Sequence, residues 1–335
     1  MHAESAPINL SPSAERLKYH FQRYFPTLVE FDRYQSLIFR PDTEVRPHFA
    51  YLCPLCMKNL VYFIKDDNLY TTSEFDDDHF PPESVGGRNK ILVCKLCNSE
   101  AGRSFDFVFK KALHHRSYAL GLPNATLELR AKISTIQGHY KGAITIDPDQ
   151  QSAIAFFHNK KTPLLNAWKE SSATDHNYSV ELTIFKLDDE KFGRALLKAA
   201  YLYCFQFWGY SFAYSANGAN MRKVLAGELE YPVKSVASFQ LEYKDVPLPE
   251  GLCLLTEPVS WRTYAVNIPV VLKETGYRCT YTVLIPPPTQ NGWEELAAIG
   301  NLLETKPEAS VTMVKLLNRY EQFLEEGGSW IDKIR

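Results

Sequence analysis

Two Cys-x-x-Cys pairs constrain the fold of this chain more than any other sequence feature. Cys53 and Cys56 form the first pair, and Cys94 and Cys97 form the second. Each pair offers two thiolates from one tight turn, and two such turns complete the tetrahedral four-sulfur site that zinc prefers. The alternative is four reduced cysteines in an apolar core, but this paired spacing rarely arises by chance. The sequence therefore predicts a structural Zn²⁺ site.

The other cysteines and the N-terminus indicate where the protein works. Cys204, Cys253 and Cys279 are isolated and are predicted to be small core residues. The total of seven cysteines is odd and the chain opens without a secretory signal, which argues against a disulfide framework. The longest uncharged stretch, residues 199–221, turns polar in its second half and is not predicted to cross a membrane. We expect a soluble, cytoplasmic protein.

Length and composition exclude several classes of protein. A chain of 335 residues suggests two domains at about 150 residues each, with one large domain as the alternative. Its 45% hydrophobic and 23% charged residues are ordinary for a globular protein and exclude a disordered chain, a coiled coil or a collagen-like repeat. The 37 basic and 39 acidic residues exclude a uniformly cationic nucleic-acid binder, although a local basic groove remains compatible with them.

The segment between the two cysteine pairs is too long for a simple zinc ribbon. It spans 37 residues, 57–93, whereas a compact ribbon has about 15–20 there. Its pattern predicts a strand, then Asp78-His79, a turn at Gly86-Gly87 and an apolar strand leading to Cys94. Apolar residues at helical spacing then predict a helix over 98–116.

These elements together resemble the HNH endonucleases, in the branch built on a zinc-bound treble clef, which is the ββα-metal fold. The resemblance rests on Asp78-His79, Gly86-Gly87, Asn89 and the run from Cys94 to Asn98. It covers residues 50–116, about a fifth of the chain. It implies an α+β protein with an HNH nuclease domain at residues 1–120.

The resemblance also implies a role for each matching residue. Asp78 and Asn98 would bind the catalytic divalent cation, His79 would act as the general base, and Asn89 would orient His79. The four cysteines would be the ligands of the structural zinc. Arg103 stands where these proteins often carry Lys, so a basic group for phosphate contact is kept.

The chemistry of these residue types agrees with phosphodiester hydrolysis. The reaction needs an attacking water, a base to deprotonate it and a cation to stabilise the developing negative charge. The imidazole of His79 titrates near neutral pH, and Asp78 and Asn98 offer the hard oxygen donors that suit Mg²⁺ or Mn²⁺. Taken singly, each residue has an ordinary alternative: a solvated acidic turn, a surface histidine, or, for Asn98, a helix N-cap. The combination inside a four-cysteine frame favours the nuclease site.

Basic residues surround the motif. Arg88, Lys90 and Arg103 are predicted to contact phosphates, which would supply affinity but no sequence reading. The alternative for each is a solvated surface position. The same choice applies to their basic neighbours Lys95, Lys110 and Lys111, and to His114-His115, which otherwise mark an exposed helix end.

Residues 121–335 are predicted to form a larger C-terminal α+β domain that begins after a turn-rich stretch at 121–125. The clearest element there is a helix over 189–208, with Asp188 or Asp189 as its cap and Gly209 as its end. Further helices are predicted at 163–171, 219–229, 293–303 and 314–325. The region lacks a P-loop, a dinucleotide-binding glycine motif and a serine hydrolase elbow. Target choice, sensing of a regulatory ligand and docking of a partner protein therefore remain open for it.

The leading hypothesis is a metal-dependent HNH endonuclease that cuts DNA. DNA as the partner, and a role in bacterial defence or mobile-element biology, follow from the resemblance alone. One alternative is a non-catalytic adaptor that keeps the zinc scaffold to bind nucleic acid or protein. Another is a nuclease effector that stays silent until a ligand or partner engages residues 121–335.

Overall fold

The computed structural model contains both helices and sheets, so the chain is an α+β protein, as predicted. The predicted helix at 163–171 lies outside the described residues. The structure describes residues 14–29, 49–63, 69–71, 73–133, 136–147, 152–157, 180–184, 186–233, 248–287, 289–305 and 312–316.

The described chain begins with a helix that packs on a small antiparallel sheet. Phe21, Tyr24 and Leu28 recur at helical spacing, and their buried side chains form the apolar stripe of this helix. The elements are α1 (Ala14–Val29), β1 (Phe49–Leu52), β2 (Leu60–Phe63) and β3 (Leu69–Thr71), with strand order β1-β2-β3.

A β-hairpin followed directly by a helix comes next. The loop of the hairpin requires glycine twice: Gly86 has φ +90°, and a Cβ on Gly87 would lie 1.6 Å from the Pro81 carbonyl oxygen. The helical part starts earlier than the prediction of 98–116, and Cys94 rather than Asn98 is its N-cap. The elements are β4 (Phe75–Phe80), β5 (Asn89–Cys94), α2 (Lys95–Ala101), a π-helical turn (Gly102–Asp106) and α3 (Phe107–Ala119).

A second antiparallel sheet follows the turn at 121–125. Alternating apolar and polar residues mark the strand at 180–184 in the sequence. The strand order is β8-β7-β6-β9. The strands are β6 (Thr126–Ile133), β7 (Ile136–Asp147), β8 (Ser152–Phe157) and β9 (Val180–Ile184).

The central helix, α4 (Asp189–Trp208), has the bounds that the sequence predicted. The Asp188 carboxylate accepts a hydrogen bond from the Lys191 backbone N–H at 3.1 Å, and Gly209 ends the helix with φ 63°. All residues over 195–205 are buried, as expected of a helix enclosed on every side. Two shorter helices follow, α5 (Tyr210–Tyr214) and α6 (Ala216–Ala226). No helix within the described residues is long and apolar enough to span a bilayer.

The last described part is a four-stranded sheet with one helix. The prediction of a helix from Val314 is wrong at its start, because Val314 lies in an edge strand that pairs with Leu254. Pairing with a distant strand overrides local propensity there, and residues 317–325 of that predicted helix lie outside the described residues. The elements are β10 (Gly251–Glu257), β11 (Thr263–Leu272), β12 (Tyr277–Ile285), α7 (Gly292–Thr305) and β13 (Thr312–Lys315), with strand order β12-β11-β10-β13.

One hydrophobic core includes residues from both sides of the predicted boundary near residue 120. Phe109 of α3 meets Phe192 of α4 edge-on, with ring centroids 5.3 Å apart, and Phe192 in turn meets Tyr281 of β12 at 5.4 Å. Such aromatic contacts add to the free energy gained by burying the rings. The division into two domains stays a prediction, but the described parts of both share this core.

Candidate functional site

The four paired cysteines form a cluster that could hold a metal ion such as zinc, as predicted. The sulfur atoms of Cys53, Cys56, Cys94 and Cys97 all lie within 4.8 Å of one another. Cys56 Sγ and Cys94 Sγ are 3.9 Å apart. A tetrahedral zinc with Zn–S bonds of about 2.3 Å separates its sulfur ligands by about 3.8 Å. The four sulfur atoms are therefore close enough together to hold a zinc ion.

Local backbone geometry brings the two pairs together. The first pair lies in the turn after β1, where the Met57 N–H donates to the Cys53 carbonyl and the Cys53 N–H donates to the Asn59 carbonyl, both at 2.8 Å. Cys94 ends β5 and caps α2, and Cys97 lies in the first turn of that helix. The Cys94 backbone N–H also donates to Cys53 Sγ at 3.3 Å. The cluster thus joins the end of the hairpin and the start of the helix to β1.

The electrostatics of the cluster favour a bound cation. Hydrogen bonds from the neighbouring thiols lower the pKa of Cys56, and they lower the pKa of Cys94 to about 6 with Cys53 as the main cause. Burial raises the pKa of Cys53 well above its usual value. One thiolate is therefore easy to form, but further thiolates accumulate negative charge in a buried place. A dication removes that penalty, which is why metal binding and thiol ionisation are coupled.

Asp78 and His79 are neighbours in β4, but they face opposite sides of the hairpin. Successive side chains of a strand point to alternate faces. Asp78 pairs with Ile91 across the hairpin, and both are buried. His79 pairs with Lys90 across the hairpin. His79 is half-buried, and Lys90 is exposed. His79 and Lys90 therefore share the outer face, whereas Asp78 points toward α4.

The partner of Asp78 is a lysine that the sequence analysis missed. Lys198 of α4 is 2% exposed, and its Nζ lies 2.7 Å from Asp78 Oδ2. The same ammonium donates a hydrogen bond of 2.6 Å to Asp106 Oδ2 in the π-helical turn. A lysine in the otherwise apolar run 195–202 was the signal that could have pointed to a buried charge.

This buried group of two carboxylates and one ammonium is called the Asp-Lys-Asp triad below. Burial raises the pKa of Asp78 to about 6, against the opposing effect of the Lys198 charge. Burial also acts to lower the pKa of Lys198, but the two carboxylates outweigh it and the pKa is raised. The two shifts have different causes: burial disfavours the charged form of Asp78, whereas the two nearby carboxylates favour the charged form of Lys198.

Asn89 is engaged with α4 and with the segment before β10. Its Nδ2 donates to the Tyr203 hydroxyl at 2.9 Å and to Glu250 Oε1 at 3.2 Å. The Tyr203 hydroxyl donates to the same Glu250 oxygen at 2.9 Å, and burial raises the pKa of Tyr203, so the phenol keeps its proton. This network fixes the start of β5. The role of Asn89 in orienting His79 stays a prediction.

Asn98 lies in α2 and is half-buried. Its side-chain amide makes no hydrogen bond to any residue that the structure describes. The helix α2 packs on both strands of the hairpin, so Asn98 lies on an element adjacent to Asp78 and His79. The structure thus brings Asp78 together with Lys198 and Asp106, which the sequence analysis did not foresee.

The predicted phosphate-contacting residues differ in their surroundings. Arg88, Lys90 and Arg103 are exposed, and none of them forms an ion pair within the described part of the chain. The other basic residues near the motif are paired with carboxylates on the surface: Lys95 with Glu74 at 2.6 Å, Lys110 with Glu274 at 2.5 Å and Lys111 with Glu128 at 3.0 Å.

We compared the chain with protein-family models, with curated proteins and with solved structures, and none of the three comparisons found a match. The motif residues, the four-cysteine cluster and the contacts of the hairpin are therefore the observations that bear on function.

Proposed function

We propose that this protein is a metal-dependent endonuclease of the HNH type that hydrolyses phosphodiester bonds of DNA. The observation that carries the proposal is the unit made of β4, β5 and α2. A hairpin bearing Asp78 and His79 runs directly into the helix bearing Asn98, and the four-cysteine cluster lies at their junction. This arrangement is the one expected of a zinc-bound ββα-metal module, with zinc in a structural role.

His79 would be the general base. It lies on the outer face of the hairpin, where a water and a phosphate can approach, and Lys90 is its cross-strand neighbour. His79 would accept the proton of the attacking water. The water oxygen would bond to phosphorus while the bond to the 3′ oxygen breaks. The departing 3′ oxygen would take a proton from solvent, which leaves a 5′-phosphate and a 3′-hydroxyl.

A Mg²⁺ or Mn²⁺ ion would be held by oxygen donors of Asp78 and Asn98. The residues fit such an ion in the chemistry of their donors, because carboxylate and amide oxygens are the ligands that these hard cations prefer. Asp78 Oδ2 lies 2.7 Å from Lys198 Nζ, on the side of the hairpin opposite His79. The ion could therefore bind Asp78 only after this ion pair is released. When bound, the ion supplies positive charge for the leaving oxygen.

DNA binding would use the exposed basic residues beside the hairpin. Arg88 and Lys90 flank Asn89 at the start of β5, and Arg103 lies in the π-helical turn. Contacts of these side chains to phosphates would hold the duplex without reading its sequence.

A plasmid nicking assay tests the proposal. With Mg²⁺ or Mn²⁺, wild type should convert supercoiled DNA to nicked or linear forms, and His79→Ala should cut about 10²- to 10⁴-fold more slowly. His114→Ala is the matched control, because that histidine lies on α3, outside the hairpin and α2, and it should cut like wild type. The proposal fails if zinc-loaded His79→Ala cuts as fast as wild type.

One observation favours the silent-effector alternative. Lys198, which belongs to residues 121–335, already pairs with the carboxylate that would bind the catalytic ion. An effector of this kind would cut weakly alone and faster once the pairing is released. The adaptor alternative instead predicts bound zinc and no divalent-dependent cleavage by wild type under any condition.

A further inference from the structure

We propose that Lys198 stands in for the catalytic cation at Asp78 and must shift onto Asp106 before Mg²⁺ or Mn²⁺ can bind there. The inference rests on the proposed nuclease function and names a regulatory step of the same site. It assigns to Lys198 and Asp106, which lie outside the motif, the control of cation binding at Asp78.

The first support is the position and burial of the ammonium. The Lys198 and Asp78 side chains are 3% and 6% exposed, and their charged atoms are 2.7 Å apart. A buried carboxylate must be neutralised by a proton or by a partner charge. Lys198 supplies that charge at the oxygen where a divalent ion would bind. The two cations therefore compete for one ligand atom.

The second support is that Lys198 already contacts a second carboxylate. Its Nζ lies 2.6 Å from Asp106 Oδ2 and 2.7 Å from Asp78 Oδ2. A charge-assisted contact with one carboxylate can hold an ammonium that loses the other. Asp106 can therefore serve as the anchor of the ammonium when Asp78 binds a cation.

The third support is the fixed position of α4. The Tyr201 hydroxyl donates to the Pro54 carbonyl at 2.7 Å, and the ring of Tyr203 meets Phe80 of β4 at 5.0 Å. These contacts hold the helix against the first cysteine pair and the hairpin, so the helix does not need to withdraw. The four rotatable bonds of the lysine side chain suffice to move its ammonium toward Asp106.

Asp106 lies in a π-helical turn, and that turn supports a functional reading of the triad. Single π-helical turns inside α-helices are rare and occur frequently at functional sites. The turn Gly102–Asp106 separates α2, which carries Asn98, from α3. Asn98, the candidate cation ligand, and Asp106, the partner of the Lys198 ammonium, therefore lie on one continuous helical segment.

The test measures Mn²⁺ binding to the zinc-loaded full-length chain without DNA, by the electron paramagnetic resonance signal of free Mn²⁺. Lys198→Met removes the competitor and should bind Mn²⁺ about tenfold more tightly than wild type. Asp106→Asn removes the anchor and leaves the ammonium to Asp78, so it should bind about threefold to tenfold more weakly. Glu100→Gln, an exposed acid on α2, is the control for general charge and should bind like wild type.

The outcomes separate this inference from the proposed function. If Asp78→Asn abolishes Mn²⁺ binding but Lys198→Met and Asp106→Asn both match wild type, the cation site stands and the role of Lys198 is wrong. If Asp78→Asn leaves Mn²⁺ binding unchanged in wild type and in the Lys198→Met and Asp106→Asn variants, both proposals lose their cation site. Should Lys198→Met not fold, the near-isosteric Asp106→Asn decides alone, and unchanged affinity overturns the inference.

Discussion

At the residue scale, strand alternation gives two adjacent residues different environments. Asp78 is enclosed by α4 and the π-helical turn, so its charge is compensated internally. His79 lies on the outer face beside Lys90. A change at Asp78 should therefore alter both stability and cation binding, whereas a change at His79 should alter chemistry with little effect on the fold.

The outer face leads to a prediction about Lys90. Lys90→Ala should weaken DNA binding to a similar degree on all sequences and reduce the slope of log K against log salt by about 1. The reason is that a phosphate contact releases a counterion without reading bases. Fluorescence anisotropy over a salt series measures both quantities. Lys95→Ala is the control, because that ammonium is already paired with Glu74. Equal losses in the two variants would contradict the assignment.

A second prediction concerns the network of Asn89. Tyr203→Phe should lower the free energy of unfolding by about 1 kcal/mol, because it removes the hydroxyl that bridges Asn89 and Glu250. Urea unfolding measures this change. Tyr118→Phe on α3, whose hydroxyl has no hydrogen-bond partner among the described residues, should stay within about 0.5 kcal/mol of wild type. A Tyr203→Phe protein as stable as the control would show that the network does not hold β5.

At the element scale, the hairpin loop depends on a close backbone approach. A Cβ on Gly87 would lie 1.6 Å from the Pro81 carbonyl oxygen, whereas a Cβ on Gly102 would meet nothing within 4 Å. Gly87→Ala should therefore destabilise the protein by about 3 kcal/mol or more, through strain in the loop that follows His79. Gly102→Ala should be neutral or stabilising. Thermal unfolding of both variants checks this, and equal stabilities would refute the loop geometry.

The elements that the sequence predicts well are those specified locally. The helix α4 has its cap at Asp188, its stop at Gly209 and an apolar pattern between them, and all three signals lie in adjacent residues. The start of the predicted helix at Val314 is wrong, because that residue pairs with Leu254 in a distant strand. The alternative role of Asn98 as a helix N-cap is wrong because Cys94, where the hairpin ends, is the N-cap of that helix.

At the scale of the whole molecule, the helices after residue 188 support the cysteine cluster. The Tyr201 hydroxyl donates to the Pro54 carbonyl, and the Tyr210 hydroxyl donates to the Leu52 carbonyl at 2.6 Å. The cluster itself could be predicted, because spacing alone identifies cysteine pairs. The Asp-Lys-Asp triad could not, because its members come from three elements that only the tertiary fold brings together.

This shared packing predicts a global response to metal loss. Structural zinc sites contribute about 10–16 kcal/mol, which is comparable to the total stability of about 5–15 kcal/mol of a typical protein. Chelation of zinc should therefore unfold the hairpin and also disturb the buried Trp208 of α4. Tryptophan fluorescence during chelation and native mass spectrometry follow these events.

The matched variants for that prediction are Cys53→Ser and Cys279→Ser. Cys53→Ser removes a ligand of the cluster and should purify without zinc or fail to fold. Cys279 lies in β12, outside the cluster, so Cys279→Ser should retain one zinc per chain. A zinc-free wild-type protein with unchanged tryptophan fluorescence would refute a structural role for the metal.

The most direct test of the central claim is chemical rescue of the general base. His79→Gly should have lost cleavage of plasmid DNA in Mg²⁺ or Mn²⁺, and added imidazole should restore it in proportion to its concentration, because the free base can enter the space left by the side chain. Restored cleavage in His79→Gly, with no gain in wild type, is the predicted result. Cleavage by His79→Gly at the wild-type rate without imidazole would contradict the account.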